Sequence, residues 1–139
     1  MPFLVRWPGR VEAGSVCKQT ICFTDMLSTF AGITGQDLPE ATTRDSVSIL
    51  PLLSGREEPV RDVTVLHPAA TVVRVGKWKL ITHLGSGGFS KPRRVRPESG
   101  EARGQLYDLD ADPAETKNLW KDEPEVVTRL TRALEAARR

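Results

Sequence analysis

Several groups of residues have the types and spacing to do chemistry. Asp108, Asp110 and Asp112 share the spacing that opens an EF-hand calcium loop. Such a loop also needs a glycine at its sixth position and a bidentate glutamate at its twelfth. Pro113 and Leu119 stand there instead, so the run reads as a strand end entering an Asp-Pro turn. Gly85, Gly87 and Gly88 before Lys91 suggest a phosphate loop. Ser90 precedes that lysine, however, and Pro92 follows it, whereas a Walker loop places Ser or Thr after the lysine and opens a helix. A Rossmann fingerprint fails as well, because Ser90 replaces its third glycine. What remains is a mobile surface loop with a positive patch of Lys91, Arg93, Arg94 and Arg96. Guanidinium forks there suit a sulfated or otherwise anionic ligand.

Cys17 and Cys22 lie five apart with no further ligand pair, so they read as buried or half-buried thiols and not as a metal site. His67 ends one apparent strand and precedes Pro68, and His83 ends another. There is no Gly-x-Ser-x-Gly elbow, no His-Glu-x-x-His and no Cys-x-x-Cys. By residue pattern alone the chain carries no complete catalytic constellation.

The elements that must position these groups are legible in outline. The 139 residues include 20 Lys+Arg against 18 Asp+Glu, a net charge too small to argue for nucleic acid. At 39% hydrophobic and 27% charged residues, the composition is that of a globular chain. No apolar run approaches the roughly 20 residues that span a bilayer, and Met1 runs straight into Pro2 with no leader pattern. Pro2–Trp7 reads as a β-strand stopped by Pro8-Gly9, with no connection before it. A helix follows from Asp25 to Thr34, with Thr24 as N-cap and Gly35 just past the end. Leu27, Phe30, Ala31 and Thr34 share one of its faces. Residues 37–59 read as a connection with an anchoring turn at Ile49, Leu50, Leu52 and Leu53. Then come four strands: Val63–Leu66, Thr71–Val75, Trp78–Thr82 and Gln105–Leu109, with Gly76-Lys77 as a tight turn. The last element is a helix. Asp122 and Pro124 mark its start, and Val126, Val127, Leu130, Ala133, Leu134 and Ala137 recur at helical spacing.

Three stretches together resemble the arylsulfatase family. Pro2–Gly9 is similar to the strand and turn near the end of its catalytic domain, and Val75–Ile81 to its C-terminal hairpin. Leu106-Tyr107-Asp108-Leu109, with Asp112-Pro113, Glu115 and Asn118-Leu119, resembles its terminal signature. With Asp25-Met26-Leu27 and Leu50–Leu53 the resemblance covers nearly the whole chain.

The resemblance implies an α/β fold, α+β in this portion. Residues 1–60 would be the end of an alkaline-phosphatase-like catalytic domain, incomplete here. Residues 61–139 would be a small four-stranded antiparallel subdomain packed by a C-terminal helix. The implied function is sulfuric ester hydrolysis on sulfated sugars or aryl sulfates. The alternatives are a stand-alone anion-binding module without catalysis, or a phosphodiesterase of the same superfamily. Family enzymes use a formylglycine made from a Cys/Ser-x-Pro/Ala-x-Arg motif, and a calcium ion held by Asp and Asn side chains. Gln19 and Ile21 follow Cys17, Thr24 and Met26 follow Cys22, and no Asp-Asp or Asp-Asn pair occurs. No catalytic or metal residue carries over, so this chain by itself is expected to be inactive and to hold no cofactor. His67 matches a family position near the substrate, although Pro68 replaces the Ser that often follows. With Lys91, Arg93 and Arg94 as an outer anion patch, it completes the expected substrate contacts. Neither nucleic acid nor a membrane is an expected partner; a sulfated small molecule or glycan is, in the intact enzyme. An uncovered apolar surface on residues 1–60 is expected to promote association. Met1 stands where the family usually has Val, as a GTG start called inside a longer gene would produce. Family members are commonly exported, and the residues at hand carry no address.

Overall fold

A computed structural model describes residues 3–66, 71–87 and 90–137. The chain divides into two compact units, Met1–Asp62 and Val63–Arg139.

The second unit is built on a four-stranded antiparallel sheet in the order β1-β2-β3-β4. Its strands are β1 (Thr64–Leu66), β2 (Val72–Val75), β3 (Trp78–Ile81) and β4 (Gln105–Asp108). Val73 pairs with Leu80, and Leu80 with Leu106. One row across the sheet is therefore Val65, Val73, Leu80 and Leu106. β-branched and aliphatic side chains suit that pleated, half-buried surface. The helix α4 (Pro124–Ala137) packs on β2 and β3. Pro124 opens it, where a missing N–H costs nothing. Leu130 and Leu134, one helical turn apart, are fully buried against Val73, Leu80 and Leu106. Each such side chain contributes about 1.5–3 kcal/mol relative to exposure. The expected sheet and terminal helix are thus present, with strand ends moved by one residue or less.

The first unit contains α1 (Asp25–Thr34) and two single helical turns, α2 (Glu40–Thr43) and α3 (Leu50–Leu53). The turn at Ile49–Leu53 does anchor, with Ile49 and Leu52 buried. Gly35 closes α1 in the left-handed region at φ 66°.

Two expectations for this unit need correction. Phe3–Trp7 forms no strand, because no described segment pairs with it. The turn that ends it does form, with the Trp7 carbonyl accepting from the Arg10 and Val11 amides at 3.0 and 2.9 Å. Thr24 does not cap α1; its backbone is already helical and its hydroxyl donates to the Asp45 carbonyl. Leu27, Phe30 and Ile33 on α1 stand exposed, the uncovered apolar surface expected of residues 1–60, and what α1 buries is Asp25 and Thr29. The reason is a polar network. The Thr29 hydroxyl donates to the Asp25 carbonyl at 2.6 Å and accepts the Ile49 amide at 3.0 Å. Asp25 itself accepts from the Cys22 and Val47 amides and from the Arg61 guanidinium.

Candidate functional site

Among the described residues, the strongest concentration of unpaired charge is the segment after β3. Residues 83–87 and 90–96 run back along each other as a ribbon. The Ser86 amide donates to the Pro92 carbonyl (3.0 Å), Gly87 to Arg93 (2.8 Å) and Val95 to Leu84 (3.0 Å). Leu84 and Val95 form an antiparallel bridge. The Gln105 side-chain amide, at the start of β4, donates to the His83 and Gly85 carbonyls, both at 2.9 Å. Gly85 makes the fold-back possible. Its φ is +92°, and a Cβ there would lie 2.9 Å from the backbone of Arg93 and Arg94. The expected irregular loop is therefore a hydrogen-bonded ribbon over this part of its length.

Lys91, Arg93, Arg94 and Arg96 sit on that ribbon, all exposed. No carboxylate among the described residues forms an ion pair with any of them. Arg94 and Arg96 flank the bridge residue Val95, so strand alternation sets them on the same side. His83 is half-buried, its Nδ1 3.3 Å from the Leu84 carbonyl oxygen, with its ring lying over Gly87. His67, Pro68, Ala69 and Ala70 lie outside the described residues, so His67 has no place in this geometry.

Cys17 and Cys22 are both free thiols, Cys22 half-buried as expected but Cys17 exposed, which corrects the buried reading for that residue. Burial pushes the Cys22 thiol above its ordinary range, only partly offset by the nearby Arg61 charge. A thiol so shifted is protonated at neutral pH and is a poor nucleophile.

The described residues do not fit a calcium site. No group of three or more His, Cys, Asp or Glu side chains stands together among them. The Asp108–Asp112 run shows why in chemical terms. Oδ1 of Asp108 accepts the Asp110 and Ala111 amides (3.1 and 3.3 Å), and its Oδ2 takes Lys77 Nζ at 2.6 Å. Asp112 accepts the Lys117 amide at 2.8 Å and the Thr116 hydroxyl at 3.1 Å. These carboxylates hold a turn, as the Asp-Pro reading expected.

Their electrostatics give a pH dependence. The Lys77 ammonium first, then backbone N–H groups, hold Asp108 below the usual carboxylate range, and the Lys117 amide does the same for Asp112. Both groups bind protons more weakly in the folded chain. Their stabilisation is present above about pH 4, where the unfolded carboxylates ionise, and is lost as pH falls through the lowered folded values. Lys77 is raised by the same contact. Its contribution is present below about pH 10 and lost as pH rises through the raised value. Asp108→Asn keeps the turn acceptor and removes the charge. It is expected to flatten the fall in melting temperature between about pH 4 and pH 2; an unchanged acid profile would refute this role.

Sequence reading found the cations and missed the residues that hold them in place. Gln105 is one. Asn118 is another: its Oδ1 accepts the Leu106 and Trp120 amides and its Nδ2 donates to the Gly104 carbonyl, all at 3.0 Å.

No protein-family model matches the chain. It is 35% identical, over 99% of its length, to an N-acetylgalactosamine-6-O-sulfatase of Bacteroides thetaiotaomicron, of which it covers 27%. It is 31% identical over 86% of its length to an ulvan-active sulfatase of Formosa agariphila, covering 28% of that protein. In fold it is similar to a solved Pseudoalteromonas sulfatase, with TM-score 0.73, 20% identity, and coverage of 94% of this chain and 28% of the other. The chain thus spans about a quarter of the length of the curated relatives it matches. Taken with the four-stranded sheet and its packed helix, these likenesses establish that the chain belongs to the sulfatase family, matching the C-terminal part of its members.

Proposed function

We propose that the chain is the C-terminal portion of a sulfuric ester hydrolase acting on sulfated glycans. Residues 1–60 are then the end of its catalytic α/β domain and residues 61–139 a subdomain that helps hold substrate. The observation that carries this reading is 35% identity, sustained over 99% of the chain, with an enzyme named for removing a 6-O-sulfate from an amino sugar. The calcium and formylglycine of such an enzyme fall, in this reading, to residues outside these 139. Exposed Leu27, Phe30 and Ile33 on α1, with Phe23 just before it, support it as well, since such an apolar stripe is what packing against further protein would use. His67 remains the proposed substrate contact of the subdomain.

A second reading, an anion-binding module without catalysis, is favoured by the unpaired ribbon cations. Both readings are separated by two constructions. The purified 139-residue chain, given an aryl sulfate and calcium, is expected to release no sulfate above buffer. Residues 1–139 grafted in place of the matching part of the Bacteroides relative are expected to restore sulfate release from N-acetylgalactosamine 6-sulfate. A soluble, folded graft without turnover would favour the binding module, and turnover by the monomeric chain would overturn the portion reading. In the active graft, His67→Ala is expected to lower kcat/KM about tenfold, the scale of one lost substrate hydrogen bond. Unchanged kinetics would remove His67 from the site.

A further inference from the structure

We draw no further inference here: the strongest candidate, the open groove between the start of α1 and residues 41–46, lined by Phe23, Met26, Leu27, Arg44 and Asp45, shares Phe23 and Leu27 with the apolar stripe already assigned to packing against further protein, and nothing among the described residues shows what else would cover it.

Discussion

Asp25→Ala is expected to destabilise residues 3–62 by about 3–5 kcal/mol, the usual result of stripping the partner from a buried charge. Asp25 is 0% exposed, and the Arg61 side chain that meets it is only 14% exposed. The carboxylate also accepts the Cys22 amide at 2.7 Å and the Val47 amide at 3.1 Å. It therefore ties three places in the chain to the first turn of α1. Alanine would leave the guanidinium without a counter-charge and two amides without acceptors. Arg61 has no slack to absorb this, since its Nε is already buried without a partner. Total stabilities of whole domains are about 5–15 kcal/mol, so a loss of this size should unfold the unit. Hydrogen exchange separates the outcome from general damage: amides of residues 22–50 should lose protection while those of β2 and β3 keep theirs. Asp25→Asn, which retains acceptor oxygen without the charge, should fall between. Pairing Asp25→Ala with Arg61→Met should recover part of the loss, because the stranded charge goes too. A cost below about 1 kcal/mol for Asp25→Ala would show the network to be incidental.

The same residue marks where sequence reading stops. Periodicity located α1 and the face of Leu27, Phe30, Ala31 and Thr34, and the resemblance left an apolar surface there uncovered, but neither announced the burial of Asp25 and Thr29. Those two are buried by partners some twenty or more residues away, at Val47, Ile49 and Arg61. No local pattern encodes such a pairing. Phe3–Trp7 has the composition of a strand, yet a strand exists only with a neighbour to share its hydrogen bonds. The second unit is more legible because its signals are local. Val72–Val75, the Gly76-Lys77 turn and Trp78–Ile81 lie next to one another in sequence, and α4 repeats its apolar positions every three or four residues. The ribbon cations were visible as composition. Their support was not, because backbone bonds among Ser86, Gly87, Pro92 and Arg93 follow no side-chain rule.

Asn118→Ala is expected to cost the second unit about 2–4 kcal/mol, from three hydrogen bonds that each contribute about 1 kcal/mol and leave unsatisfied groups behind. β4 is an edge strand, so one side of its backbone lacks a neighbour. The segment at Asn118 supplies one. Asn118 Oδ1 takes the amide of Leu106, a fully buried residue, and the Leu119 amide donates to the Leu106 carbonyl at 2.8 Å. Asn118 Nδ2 meanwhile holds the Gly104 carbonyl. Gly104 must be glycine for this to close: a Cβ there would collide with the Ile81 carbonyl oxygen and the Trp120 ring. Gly104→Ala is thus expected to cost about 1–3 kcal/mol by overpacking the same place. Asn118→Asp, which keeps the acceptor and loses the donor, should be milder than alanine. The consequence reaches the ribbon, because Gln105 directly follows Gly104 and its side chain holds the His83 and Gly85 carbonyls. Asn118→Ala should therefore expose the Leu106 amide and the backbone of residues 83–85 to hydrogen exchange. Full protection at Leu106 would show that β4 holds its edge without Asn118.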